Sequence, residues 1–554
     1  MYITEILTKT KDGKTSHRCI LLRESYREKG KVKNRTIANI THLKQNEIEA
    51  LRLALKYKDN LAALESLEEI EIRQGKSVGA VYLVNEIAKD LGIHKALGKS
   101  RQAQLALWQI LSRVIDQGSR LSSVRMAHLH ATSDVLKMTQ GFNEDDLYKN
   151  LAWLADHQDA IEKCLFKARY QEKEPSLFLY DVTSSYLEGV DNELANWGYN
   201  RDKKAGKKQL VVGLLCDEWG NPVSVKVFEG NTHDTATFSD QIQKVTKQFN
   251  CDKVVFVGDR GMIKSGQIKE LADATETLYY ITAITKPQIE KFLKEDVFQM
   301  EFFDVELCEI EHESIRYILK RNPKRAQEIA QKRQEKKESL ETFCQKRNNY
   351  LSQHPRAKVI TALKKIQNRI KQLKIDAWLK VETKDRTFTL SVHNESLQET
   401  AKLDGCYVVK SDLPKDINKQ VIHDRYKDLA KVEKAFRTCK ISFLEMRPWF
   451  VRTEKSTRGH ALVLMLAYII VLYLQKKWEA FDMTVEEGLE HLTTLCSMEI
   501  RLHGKNTCHR IPNPSSISRQ LLQAAEVKLP RIIPKLGAHV DSRKKLTEER
   551  KQAV

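Results

Sequence analysis

The 554-residue sequence lacks the features that carry a chain into or through a membrane. No apolar signal core opens it. Its longest apolar run, Ala461–Leu474, has 14 residues, where about 18 to 20 are needed to cross a bilayer. The ten cysteines are scattered singly, none at the spacing of a zinc knuckle or redox pair, so they read as buried thiols in a reducing compartment. Cys508-His509 has no complementary pair with which to complete a zinc site. No glycine run has the pattern of a P-loop or a dinucleotide-binding turn, and no segment repeats. These absences exclude membrane-spanning, disulfide-framed and repeat architectures, and they place the expected protein in the cytoplasm.

What the chain has is positive charge: 93 basic against 74 acidic residues, a net +19. A polyanionic partner, nucleic acid foremost, suits that balance, although many ordinary soluble proteins share it. The length calls for several domains, one of which can interrupt another.

Residues 1–45 read as a small basic β-hairpin module turning at Glu28-Lys29-Gly30-Lys31. Its Lys29, Lys31, Lys33 and Arg35 either grip phosphates or form a solvated strand face. Residues 46–170 have helical spacing with glycine breaks. They suggest a helix-turn-helix bundle in which Val84–Leu97, followed by Lys99 and Arg101, is the first candidate for DNA contact. At Leu177 the texture changes to short β-rich runs. Asp217–Pro222 has hairpin chemistry, and Val254-Val255-Phe256-Val257-Gly258 lacks alternation, as a strand buried on both faces does. An α/β core is expected over 171–286 and 406–480. The interval 287–405 reads as an insertion subdomain of mixed β and helical character; its charged helical hairpin, 323–375, is either a DNA-backbone clamp or a solvated pair. Residues 481–554 are C-terminal helices and a basic tail.

Two aspartates follow apolar strands: Asp181 after Leu177–Tyr180, and Asp259 after the VVFVG run. A strand-end Asp is often a turn or cap residue. On neighbouring strands, however, two such carboxylates can bind Mg²⁺, which takes oxygen ligands and needs one or two from the protein. A third acid comes from the helix around Glu433. At about 100° per residue, Leu429, Val432, Phe436 and Cys439 make an apolar stripe that Glu433 borders. Tyr426, Glu433 and Lys440 are spaced seven and seven, which keeps them on one side of a regular helix with a drift of about 20° per step. Glu433 could equally be a surface residue paired with Arg437 at i+4. Together the three acids suit two-metal phosphoryl chemistry, in which one ion activates the attacking oxygen and the other stabilises the leaving one. Arg260, beside Asp259, either meets a phosphate or balances the acid. Asn231, His233 and Asp234 make either a turn network or a support for the metals. Trp378 is either core or a platform for a base.

From Asp181 to Glu433 the sequence resembles the DDE transposases of bacterial insertion sequences, in the superfamily with a Tyr-x2-Arg-x3-Glu-x6-Lys signature in the last catalytic helix. Tyr426, Leu429, Glu433 and Lys440 occupy those positions, so leucine replaces the arginine. WGYNRDKKAGKKQLVVGLL, FEGNTHDTATF and GDRGM also resemble family segments. The resemblance implies an RNase H-like catalytic core interrupted by the insertion and preceded by the hairpin module and a helical DNA-binding region. It implies Asp181, Asp259 and Glu433 as catalytic residues and ligands of Mg²⁺, with Mn²⁺ able to substitute. It further implies DNA contacts from Tyr426 and Lys440; Arg425 or Arg437 is a candidate to replace the missing arginine, and Arg260 stands beside them as a candidate DNA contact. The partners implied are the element's terminal inverted repeats and a target duplex, held by a homodimer with no membrane involved, and the chain is nucleoid-associated when bound. The activity implied is cut-and-paste transposition. A catalytically inactive DNA-binding relative and a structure-selective nuclease without joining activity are the alternatives, the former suggested by Leu429.

Overall fold

A computed structural model of the chain describes residues 1–9, 16–59, 70–189, 191–199, 201–202, 204–251, 253–274, 277–442, 444, 446, 449–502 and 506–542. They divide into two units. The smaller unit takes residues Met1–Gly75, Cys496–Pro512 and Pro530–Pro534. Its N-terminal part is a three-stranded antiparallel sheet of Tyr2–Lys9, Ser16–Glu28 and Lys31–Asn39 followed by the helix Gln45–Lys56. The expected turn is there: Lys29 and Gly30 take φ of 48° and 78°, a left-handed pair that glycine accommodates without cost from a Cβ. On this sheet Lys33 and Arg35 are paired across the hairpin with Glu28 at 2.5 Å and Glu24 at 2.7 Å. Ile20, Ile40 and Ile48 form a small core.

The helical run expected from residue 46 is interrupted. Ile70–Ser77 is a strand, and it lies beside Cys496–Leu502, with Asn506–Arg510 on the far side. Its short alternation is locally too weak to announce a partner more than four hundred residues away; the pairing supplies what local propensity does not. The basic end of the tail, after Ser542, lies outside the described residues, as does the side chain of Cys508.

The larger unit is built on an eight-stranded sheet: β1 Leu177–Tyr186, β2 Gln209–Asp217, β3 Pro222–Phe228, β4 Val254–Gly258, β5 Leu278–Ala283, β6 Cys308–His312, β7 Ile315–Arg321 and β8 Cys406–Ser411. Spatial order is β6-β7-β8-β5-β4-β1-β2-β3. β1, β2 and β3 are antiparallel neighbours, β4 runs parallel to β1, and β5 runs parallel to β4. The β2–β3 turn closes as its residues predict: Asp217 Oδ1 accepts the amides of Trp219 at 3.0 Å and Asn221 at 2.7 Å, and Gly220 has φ 87°.

Alternation along β1 divides the interior. Leu177 and Leu179 join a core with the helices α1 Glu144–Arg169 and α4 Glu454–Lys477, whereas Phe178, Tyr180 and Val182 pack with Phe238 and Phe256. The helices α2 Lys419–Lys427 and α3 Leu429–Arg437 lie between β8 and α4 in the chain. α4 contains the longest apolar run, and as a 24-residue helix it has the length and hydropathy of a membrane span. Yet 83% of its apolar window is buried inside the protein, which is why it is apolar all round. The segment expected to contact DNA, Val84–Leu97, is largely interior too: Val84, Ile87 and Ile93 are fully buried and Leu97 nearly so. A glycine-broken helical pattern does not distinguish a core helix from a reading one.

β6 and β7 come from within 287–405, and β7 pairs with β8, so the main sheet continues into that interval. The rest of it has a core of its own. Pro323–Gln353 and Val359–Leu373 pack through Leu340, Cys344 and Ile366 against the hairpin Leu379–Lys384 and Thr387–Val392, and Trp378 is buried among them, 3% exposed. Trp378 is a core residue, not a surface for stacking.

Candidate active site

The two aspartates arrive side by side because β1 and β4 run parallel and in register. Leu177 faces Val255, and the pairing proceeds to Tyr180 opposite Gly258. Asp181 and Asp259 are the next residue on each chain. Asp181 is not at a strand end, as its sequence context suggests, because β1 continues along β2 to Tyr186; what ends at Tyr180 is its pairing with β4. Each acid is anchored by its neighbour's backbone: Asp181 Oδ1 accepts the Val182 amide and Asp259 Oδ1 the Arg260 amide, both at 2.7 Å.

The helical acid reaches the same place. Burial pushes the Asp181 carboxyl up to about 7, opposed by the Val182 amide and the Arg201 charge and reinforced by the charges of Asp259 and Glu433. The Tyr426 hydroxyl lies 3.5 Å from Asp259 Oδ1, a long contact. Its pKa is raised, first by burial, then by Asp259 and Glu433, while Arg260 opposes the shift. Asp181, Asp259, Glu433 and Tyr426 thus lie within reach of one another's charges. Glu433 is exposed, and among the described residues no ion pair joins it to Arg437, while Asp428 pairs with both Arg425 and Lys431. Arg425, the nearest substitute for the signature's arginine, is thus engaged with Asp428, and Leu429 is half-buried against the main core.

Among the described residues, no group of three or more His, Cys, Asp or Glu side chains stands as a ready metal cage. Mg²⁺ does not require one, since it retains several waters and commonly uses one or two carboxylates together with substrate phosphate. An acid raised chiefly by burial and further by two neighbouring carboxylates suits a divalent cation, whose charge offsets both the lost hydration and the repulsion.

Lys440 lies beyond the regular helix. α2 and α3 are separated at Asp428, and α3 passes into a π turn over Thr438–Ser442. That wider turn departs from the 100° step, and Lys440 is only 8% exposed. Its ammonium pairs with Asp202 at 3.2 Å and donates to the carbonyl of Ser184. Arg437 and Arg260 are exposed.

Arg201 and Asp202 were not distinguishable in the sequence from the basic run around them. Arg201 donates to the carbonyl of Val182 and to Asp234 Oδ2 at 2.7 Å. Asp234 opens a helix, Asp234–Gln243, so this residue of the polar loop reaches the site through Arg201. Beside it is a cavity of about 700 Å³ lined by Trp197, Tyr199, Arg201, Gln209, His233 and Lys264 among others. Trp197 and Tyr199 are 59% and 86% exposed, so the cavity has aromatic rings at its lining that solvent reaches.

With this geometry in place, comparisons with known proteins are informative. Residues 5–70 match the family described as IS1634 family transposase, N-terminal domain. Residues 172–470 match the Transposase DDE domain. No curated protein matches. Among solved structures, the cryo-EM structure of the piggyBac transposase synaptic complex with hairpin DNA aligns with a TM-score of 0.35 at 8% identity, covering 80% of this chain and 75% of that one.

Proposed function

Because the chain belongs to the DDE-type transposases of bacterial insertion sequences, matching their DDE domain over more than half its length, we propose that it cuts the ends of its own element with Mg²⁺ and joins the freed 3′-hydroxyls to target DNA. The observation that carries this reading is the emergence of Asp181 and Asp259 from adjacent parallel strands within the field of Glu433. The strand order β3-β2-β1-β4-β5, with β1–β3 antiparallel and β4 and β5 parallel to β1, supports an RNase H-like core.

In this mechanism Asp181, Asp259 and Glu433 would hold the divalent ions, Mg²⁺ or in its place Mn²⁺, which would supply activation of the attacking oxygen and stabilisation of the leaving one. The protein's own part is placement. β1 and β4 set the two aspartates, and the Val182 and Arg260 amides each fix one carboxylate. Tyr426 orients Asp259 and faces the DNA end. Arg260 and Arg437, both exposed, meet phosphates; Trp197 and Tyr199 add aromatic surface for nucleotides. Lys440 belongs to this group by sequence; its buried ion pair with Asp202 favours a different role, developed below. Two copies, each holding one terminal repeat, would complete the DNA assembly in the bacterial cytoplasm.

A supercoiled plasmid carrying the two flanking element ends tests the reading. The parent chain is expected to cut at the ends in Mg²⁺ and, given a target plasmid, to join them; Glu433→Ala is expected to do neither. Cutting without joining would identify a structure-selective nuclease. Binding of the ends with no cutting by the parent would identify an inactive relative and direct attention to Leu429.

A further inference from the structure

β1 has two strand neighbours only along its first half. Ser176, just before it, accepts the amide of Val255 through its carbonyl at 2.9 Å, and the even-numbered residues that follow present their backbone groups to the same edge, because these groups alternate along a strand. Strand pairing on that edge stops at Tyr180 opposite Gly258. From Val182 onward the even-numbered backbone groups are at the edge that β4 has left, and a buried backbone group without a partner is costly.

At the far end the Trp449 amide donates to the Tyr186 carbonyl at 3.4 Å; before it, side chains from two other segments take over. The Val182 carbonyl accepts from Arg201, the Ser184 carbonyl accepts from Lys440, and the Tyr186 amide donates to Asp202 Oδ2 at 3.2 Å. Two of these side chains are joined directly, and the third, which pairs with Asp234, is tied to them through the backbone. Lys440 and Asp202 are paired at 3.2 Å with side chains only 9% and 5% exposed, Arg201 and Asp202 are adjacent in sequence, and the Arg201 amide donates to Ser184 Oγ at 2.9 Å. The stretch they line begins immediately after Asp181, and Lys440 is seven residues beyond Glu433 on the continuing helical turn.

We propose that Arg201, Asp202 and Lys440 form a polar clasp that replaces the missing strand along β1 and fixes Asp181 against the Glu433 helix, so that all three are positioning residues and Lys440 acts through Asp202 instead of on DNA. The clasp rests on the assignment of Asp181 and Glu433 as metal-holding residues. Burial of the Lys440–Asp202 pair carries the second part: an ammonium enclosed with a carboxylate on one side and a carbonyl on the other has exchanged its hydration for protein partners and is poorly placed to release counterions from a phosphate.

The test uses the full chain and Mn²⁺ as probe, followed by electron paramagnetic resonance, alongside end cleavage and the salt dependence of end binding. Lys440→Met and Asp202→Asn are each expected to raise half-saturating Mn²⁺ by about tenfold, as loss of an outer partner of a metal ligand commonly does. The double variant should be little worse than either single one, since both remove the same interaction. The slope of log binding against log salt should stay at the parent value in Lys440→Met, whereas a lost phosphate contact would lower it by about 0.9. Lys440→Arg and Asp202→Glu keep both charges and are expected to fold and to recover most of the Mn²⁺ affinity and cleavage, which separates positioning from misfolding of the neutral variants. The clasp is overturned if Lys440→Met lowers the salt slope while Asp202→Asn binds Mn²⁺ and cuts like the parent. Full Mn²⁺ affinity in all the neutral variants overturns it as well. If the parent itself cuts nothing but the clasp variants still lose Mn²⁺, the clasp stands and the transposase reading fails.

Discussion

The two halves of β1 solve the same problem with different chemistry. Leu177–Tyr180 lies between β2 and β4, entirely buried, with its backbone bonded to strands on both edges and its side chains divided between two apolar cores. Asp181–Tyr186 keeps β2 on one edge, while on the other it is met by an arginine, a lysine and an aspartate. The comparison teaches where a sheet can hold charged chemistry. A carboxylate with apolar layers on both sides and strands on both edges would have no room for an ion or a phosphate, but one step past the end of β4 there is space, and the cost of that opening is met by polar side chains.

The largest way to break the contrast is to remove the acids at the opening. Asp181→Ala, Asp259→Ala and Glu433→Ala should each lower end cleavage by roughly a thousandfold or more while end binding stays within about tenfold, because the ions serve chemistry more than affinity. Gel-resolved cleavage and equilibrium binding of the same variants check both parts; cleavage retained in one of them would remove that acid from the site.

Next comes the closed half. Phe256→Ala in β4 empties a fully buried ring position that packs on Phe178 and Phe238, and a loss of about 3 to 5 kcal/mol is expected. A urea titration would show it as a lower midpoint with no special dependence on Mg²⁺. Breaking the open half should look different, with stability and metal binding failing together.

A pH series sharpens the comparison at Asp181 alone. Its folded pKa of about 7 lies above the ordinary 3.8. The unfolded chain therefore releases this proton first, and as pH rises from about 4 to 7 the metal-free folded state loses stability relative to the unfolded one. The loss is complete above about 7 and amounts to a few kcal/mol at most, reduced by solvent screening at this partly exposed position. Asp181→Asn should raise the urea midpoint of metal-free protein at pH 8 and leave it nearly unchanged at pH 4. Equal shifts at both pH values would rule out the titration of Asp181 as the cause.

The smallest effect belongs to the exposed rim. Arg437→Ala should weaken end binding modestly and lower its salt slope by about 0.9, the mark of one lost phosphate contact. An unchanged slope would place Arg437 away from the backbone.

Much of the site was legible locally. Apolar runs ending in Asp181 and Asp259, and an apolar stripe bordered by Glu433, are written in single segments, and so are the Gly30 and Gly220 turns. Where the sequence left a choice open, the cause is shared. Val84–Leu97 and Trp378 were ambiguous because periodicity and residue type describe a surface without naming what covers it. Ile70–Ser77 and Cys496–Leu502 become strands through each other. The burial of Lys440 in the π turn at Thr438–Ser442 is not anticipated by regular helical geometry.

By itself, then, the sequence determined the local elements and singled out the three candidate acids, since these depend on patterns within a few turns or one strand. Only the tertiary structure decided that β1 and β4 are parallel and in register, that β4 stops at Gly258, and that Arg201, Asp202 and Lys440 occupy the edge it leaves. Those outcomes depend on which backbone groups lack a partner after the sheet has formed, and that is a property of the assembled fold and not of any segment in it.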